Sequence, residues 1–226
     1  FREGWSFAEA LAKAQELGYA EADPALDVDG GDAAHKITLM ASIAFGIPVD
    51  FAHCHLEGIR SLQGEDVHYA AELGYRIKLL GIARRRDDGV ELRVHPTLIP
   101  QDHLLAHVEG PFNAVLADSD AAGQSLYYGR GAGGDPTASA VVADLVDVAR
   151  TMTADPSNRV PHLAFQADAL SPLPLLPMAE VESAYYLRIQ AENRAGVLAQ
   201  LATILAEYQI SIEALVQRER PGAASV

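Results

Sequence analysis

Glu21-Ala-Asp-Pro-Ala-Leu-Asp-Val-Asp-Gly-Gly-Asp-Ala-Ala-His-Lys36, running on into the apolar segment Ile37 to Phe45, is the stretch on which the reading of the whole chain turns. Besides Glu21 it carries Asp23, Asp27, Asp29 and Asp32, and Pro24 with the Gly30-Gly31 pair predicts a loop for its acidic part. From Asp32 onward the spacing predicts a helix, with Ala33, Ile37, Met40 and Ala44 as the apolar stripe. Asp32 and Lys36 lie four apart and share a face. The same column continues through Leu39 and Ile43, so a charged pair heads a row of residues that favour burial. Two readings fit this spacing. One is a surface ion pair at a helix start, with Asp32 favoured by the helix dipole. The other is a reaction site, in which the acids hold a cationic substrate group and a partly desolvated lysine moves a proton.

Composition narrows the class. The chain has 226 residues, 49% hydrophobic and 21% charged, which suits one good core plus a smaller unit. A net charge of −14, with no basic block longer than Arg84-Arg85-Arg86, argues against nucleic acid or an anionic membrane as partner. The single cysteine, Cys54, excludes an intrachain disulfide and fits a reducing compartment. No apolar segment is long enough to span a bilayer and no basic-then-apolar leader opens the chain, so the expected location is cytoplasmic. The chain opens on Phe1, and its first hundred residues hold no strand, Gly-rich turn and helix for a dinucleotide.

Outward from the acidic stretch the elements follow in order. Ser6 and Glu9 form a capping-box pattern and Gly18 ends the periodic run, which predicts a first amphipathic helix. Val49 to Ile59 alternates as a strand with His53 and His55 on one side. Two ligands on a face with no second cysteine do not make a tetrahedral set, so no metal is expected. A helix is predicted over Gln63 to Leu73. A hairpin follows, with strands from Tyr75 to Ala83 and through Val90, Leu92 and Val94, and a polar arginine turn ending in Asp88-Gly89. Asp102 is positioned to cap a helix reaching His107, and Phe112 to Ala117 and Gln124 to Tyr128 read as strands. The implied fold class is α+β: an open, mostly antiparallel or mixed sheet with helices on one face.

Gly129-Arg-Gly-Ala-Gly-Gly134 matches G-x-G-x-x-G after a strand, and Asp135-Pro136 reads as cap and first residue of a helix to Arg150. No strand ending in an acid follows about 20 residues later, so the pattern does not constitute a complete dinucleotide fingerprint. That helix is apolar on much of its surface. Five prolines between residues 151 and 183 give linker composition. Beyond them, strands from Tyr185 to Gln190 and Ile210 to Val216 flank a helix carrying Val197, Leu201, Ile204 and Leu205.

The string GYAEADPALDVDGGDAAHKITLMASIAFG (18–46) resembles the substrate-site signature of homoserine dehydrogenases. The resemblance implies substrate binding by Glu21, Asp27, Asp32 and Lys36, with catalytic roles for Asp32 and Lys36. It also implies interconversion of L-homoserine and L-aspartate 4-semialdehyde with NAD or NADP, within threonine, methionine and isoleucine biosynthesis. YYGRGAGGDPTASAVVADLVD (127–147) resembles the family's return toward the cofactor domain, which makes Gly129, Gly131 and Gly133 candidates for cofactor contact. YYLRIQAENRAGVLAQLATILAEYQISIEALVQ (185–217) resembles the first half of an ACT domain, a module that binds amino-acid effectors. Its ligand loop falls on Asn193, Gly196 and Val197, with asparagine where the family carries aspartate. The expected organisation is therefore a substrate and dimerisation domain at 1–150, a linker at 151–183 and an incomplete ACT module at 184–226. By resemblance the nucleotide-binding domain, with a second lysine, precedes this chain, and the assembly is a homodimer or homotetramer. A different class of reading remains beside it: an inactive, amino-acid-sensing, dimer-forming fragment.

Overall fold

The computed structural model describes residues 5–18, 20, 22–131, 133–152, 160–192 and 194–218. Helix α1 (Phe7–Glu16) starts where Ser6 and Glu9 exchange hydrogen bonds, and the chain leaves it through Gly18 at φ +74°. The acidic stretch contains one helical turn, α2 (Ala25–Val28), where the sequence reading expects a loop. Asp23 Oδ1 accepts the Ala25 N–H at 3.1 Å and stands in for the missing cap. Helix α3 (Gly31–Phe45) runs between two glycines in the left-handed region, Gly30 and Gly46. Its buried residues are Gly31, Ala34, Thr38, Ala41 and Ser42, so the buried face is rotated from the expected stripe of Ala33, Ile37, Met40 and Ala44. Small side chains let the helix axis approach the sheet, and the two hydroxyls are satisfied locally, by Ala34 O and Ile47 O, each at 2.7 Å. Ile37 is accommodated at the edge of that face because Gly81 lacks a side chain; a Cβ there would lie 3.0 Å from Ile37 Cβ.

The expected strand over 49–59 contracts to β1 (His55–Leu56), because Asp50 turns the preceding chain by accepting the His53 N–H. After α4 (Gly64–Glu72), strands β2 (Tyr75–Arg85) and β3 (Val90–Pro100) pair antiparallel along their full length, from Tyr75↔Pro100 to Arg85↔Val90. The other edge of β3 is shared by two short parallel strands: β1 beside Arg93–Val94, and Leu175–Leu176 beside Val90–Glu91. The C-terminal part of the proline-rich stretch thus joins the sheet. Val90 N–H donates to Pro174 O at 2.9 Å, Val181 is buried, and Leu173 and Leu175 pack on the core of Ala41, Ile47, Val90 and Leu92. Gly89 permits the approach, since a Cβ would meet Pro174 O at 2.7 Å. Arg84 and Arg85 are exposed at the hairpin end as expected. Arg86 instead pairs with Asp88 and donates to Glu180 O at 2.9 Å, tying the hairpin to this segment. The opposite face of β3 carries buried Glu91 and Arg93 in an ion pair, with Arg93 Nη1 2.7 Å from His95 Nε2.

Strands β4 (Phe112–Ser119) and β5 (Gly123–Arg130) form a separate two-stranded ribbon rather than extending the first sheet. Between the sheets the short 3-10 turn Leu104–His107 is capped by His103, whose ring accepts the Leu105 N–H, and not by Asp102. Helix α5 (Gly134–Thr151) has no buried residue, and Val141, Val142 and Leu145 are all exposed. With its strand at 175–176 numbered β6, the first sheet is complete, and α6 (Val197–Glu207) is the last regular element described.

No strand forms over 185–190 or 210–216 among the described residues. In a split β-α-β unit the strands flanking the helix are not neighbours, because a third lies between them. No described residue fills that position, so their backbones lack a ladder. This region is held instead by side chains. Asp66, buried at the start of α4, accepts from Gln63 N–H (2.9 Å), Tyr186 O–H (3.1 Å) and Arg188 Nε (2.6 Å), and Arg218 pairs with Glu72 at the other end of α4. Burial, then the bond to Asp66, pushes the Tyr186 phenol up to about 12. A raised acid contributes stability in full below its unfolded value of about 10, and that contribution is lost as pH rises through the folded value. Thermal unfolding should therefore show wild type exceeding Tyr186→Phe by a margin that shrinks between about pH 10 and 12. A constant margin across that window would show that the phenol is not coupled to folding.

Candidate functional site

The acidic turn owes its shape to two glycines. Gly30 sits at φ +84°, and a Cβ on Gly31 would lie 2.8 Å from Leu26 Cδ1, so α2 folds back tightly on the start of α3. Asp32 is thereby placed in the first turn of α3, where the helix dipole favours its charge. Lys36 Nζ lies 2.6 Å from Asp32 Oδ2, with 62% of the lysine and 40% of the aspartate side chain exposed. Leu39 and Ile43, below them in the same column, are 45% and 46% exposed. The sequence reading expects this column to be buried; in the chain as it stands the column faces outward. His35 stacks on Phe51 with ring centroids 4.0 Å apart, adding a further exposed apolar ring beside it.

The acids divide by partner. Asp27 is exposed on α2, and its carboxylate has no hydrogen-bond or ion-pair partner among the described residues. Asp29 is engaged by both Arg60 Nε and Arg60 Nη2, and that guanidinium holds its carboxyl below the usual range. Arg60 carries no sequence signature, since it lies 31 residues away. Glu21 lies outside the described residues. Asp27, Asp32 and Lys36 therefore supply an acidic, open surface with one cation, suited to an ammonium group and to proton exchange at a neighbouring oxygen.

The glycine turn follows β5. Gly129 and Gly131 line a shallow open groove with Asn113, Tyr128 and Arg130. A Cβ on Gly131 would collide with the Asn113 amide, while Gly129 has open space. Gly133, at φ +118°, is the N-cap of α5 in place of Asp135, which enters the first turn, and no side chain caps the helix. Its leading N–H groups thus have no side-chain acceptor, the arrangement that receives an anion. Among the described residues no hydrogen bond or ion pair joins this turn to Asp32 and Lys36.

Elsewhere, His53 Nδ1 lies 2.7 Å from Asp50 Oδ2, and burial pushes the Cys54 thiol up. Among the described residues no group of three or more His, Cys, Asp or Glu is placed to hold a metal ion. In the C-terminal loop Gly196 caps α6 at φ +89° and Val197 opens the helix; Asn193 lies outside the described residues.

The homoserine dehydrogenase family profile matches residues 1–146, and the ACT domain profile matches residues 185–225. The homoserine dehydrogenase of Pseudomonas aeruginosa is 64% identical over 216 residues, covering 96% of this chain and 50% of that protein. That of Corynebacterium glutamicum is 41% identical, covering 96% of this chain and 48% of that protein. The crystal structure of a homoserine dehydrogenase from Thiobacillus denitrificans superposes with a TM-score of 0.90 at 61% identity, over 96% of this chain and 50% of that one. The chain spans about half the length of the relatives it matches. With the matched profile covering the acidic turn, α3 and the glycine turn alike, the chain belongs to the homoserine dehydrogenase family.

Proposed function

We propose that this chain is the substrate-side part of an NAD- or NADP-dependent enzyme that interconverts L-homoserine and L-aspartate 4-semialdehyde. The observation that carries the reading is the Asp32–Lys36 pair at the head of α3, set beside the acidic turn and above an outward-facing apolar column. Glu21 and Asp27 hold the substrate ammonium group. Asp32 orients Lys36, and Lys36 exchanges the proton on the reacting oxygen. An exposed lysine is a poor general base, so a second surface must close over Leu39 and Ile43 and exclude water there. The exposed apolar face of α5 suits the same closing body, a cofactor-binding domain.

The glycine turn fits a share in cofactor contact, because the start of α5 lacks a side-chain cap and Gly129 has open space beside it. Gly129, Gly131 and Gly133 would contribute backbone contacts there, and a bound nicotinamide supplies the hydride acceptor or donor. A hyperthermophilic archaeal homoserine dehydrogenase, 27% identical with a TM-score of 0.51, is known in complex with NADPH. Residues 1–150 form the substrate and dimerisation domain and 184–226 the partial ACT module, which takes an amino-acid effector at Asn193, Gly196 and Val197. The segment between them, 151–183, connects the two and docks on the sheet through its C-terminal part. No helix among the described residues is long and apolar enough to cross a membrane. The single cysteine suits a cytoplasmic location, and the expected assembly is a homodimer or homotetramer.

The test is L-homoserine-dependent reduction of NAD or NADP by the complete enzyme, paired with Glu21→Ala and Asp27→Ala. Each variant should raise KM for L-homoserine roughly 10- to 100-fold, the loss of one charge-assisted contact, with KM for the cofactor unchanged. An enzyme that does not turn over L-homoserine, or variants with the wild-type KM, would overturn the reading.

A further inference from the structure

The loop that follows β1 packs directly on the acidic turn. Ile59 N–H donates to Val28 O at 2.9 Å, so the loop runs hydrogen-bonded along the end of α2. Gly58 makes the approach possible: a Cβ there would meet Asp29 Cα at 2.6 Å and would also collide with the Val28 carbonyl oxygen. On the other side, a Cβ on Gly30 would lie 3.0 Å from Leu56 Cδ1 and 3.1 Å from Val94 Cγ1, so β1 and β3 wall the turn from below. Arg60 then closes over the top and grips both oxygens of Asp29.

The energetic sense of this ion pair is not stability. Both side chains are about half exposed, and exposed pairs contribute little to folding. Two-point guanidinium-carboxylate geometry fixes orientation instead, which a lysine's single point charge does not. The turn it orients has Asp27 two residues before Asp29 and Asp32 three residues after it.

We propose that Arg60, Asp29 and Gly58 are positioning residues for substrate binding: they set the angle at which the acidic turn presents Asp27 to the substrate ammonium group and Asp32 to Lys36. Asp29 is on this account a clamp and not a ligand, although it sits among the acids of the site. The proposal rests on the reading of Asp27 and Asp32 as substrate-side groups.

The experiment is steady-state kinetics of the complete enzyme carrying Arg60→Lys, Arg60→Ala, Gly58→Ala, or the exchanged pair Asp29→Arg with Arg60→Asp. Misplacement of a binding group by a fraction of an ångström should raise KM for L-homoserine about tenfold in Arg60→Ala and Gly58→Ala. Arg60→Lys should be nearly as impaired, because charge is kept but the second contact is lost. The exchanged pair should recover most of the affinity. KM for the cofactor should not change in any of them, which separates positioning from general damage to the fold. A lower melting temperature with unchanged KM for L-homoserine overturns the proposal, as does full activity of Arg60→Lys. If the wild-type enzyme itself shows no L-homoserine turnover, the functional reading fails; if it turns over normally and only the variants are indifferent, the clamp alone fails.

Discussion

Replacing Lys36 by alanine in the complete enzyme is expected to lower kcat by about 10²- to 10⁴-fold, the usual contribution of a positioned acid-base group. KM for the cofactor should move little, because Lys36 lies on α3 paired with Asp32, and among the described residues no hydrogen bond or ion pair joins it to the glycine turn. The size of the effect follows from geometry. Asp32 holds the ammonium group at 2.6 Å, so its direction is set before substrate arrives. Once a second surface covers the exposed column of Leu39 and Ile43, water is excluded from the pair and the lysine faces the reacting oxygen alone. Steady-state rates with saturating L-homoserine, read beside the Asp32→Asn variant, check this. Wild-type kcat in Lys36→Ala would sink the assignment.

The largest effect on stability is expected at Asp66. Its carboxylate, 8% exposed, accepts the Gln63 N–H at the start of α4 and binds Tyr186 and Arg188 from the C-terminal region. Truncation to alanine removes one half of the capping box, leaves the Tyr186 phenol without its acceptor and leaves the partly buried Arg188 guanidinium with Gln63 Oε1 alone. Removing one partner of a buried pair costs about 3 kcal/mol or more when the other charge stays buried. Arg188 can reach solvent, which lessens that penalty, and the lost cap adds about 1 kcal/mol. Asp66→Ala should therefore lose about 3 kcal/mol in urea unfolding, and limited proteolysis over 184–190 should become faster. A loss under about 1 kcal/mol, with proteolysis unchanged, would mean that Asp66 does not tether that region.

The elements that could be read from the sequence are those whose cause lies within a few residues. The capping box of Ser6 and Glu9, the glycine stops after α1 and α3, and the hairpin closed at Asp88-Gly89 all formed where local chemistry put them. The Asp32–Lys36 pair belongs to the same class, because four residues of helix bring the two side chains together whatever surrounds them.

Tertiary structure decided what depends on a partner distant in sequence. Which face of α3 is buried was settled by close approach to the sheet, with Ala34, Thr38 and Ala41 buried and Ile37 packed at the edge of that face over Gly81. A strand exists only where another backbone accepts its hydrogen bonds. So Leu175–Leu176 became one against β3 despite its prolines, while 185–190 and 210–216 did not despite their pattern. The pairing of Asp29 with Arg60, and of Asp66 with Tyr186 and Arg188, spans 31 to 122 residues and leaves no periodic trace. Sequence by itself determined the turns, the caps and the charged pair that heads α3. Only the folded chain determined which of the acids is held by a cation and which stands open, because that depends on loops meeting across the sheet.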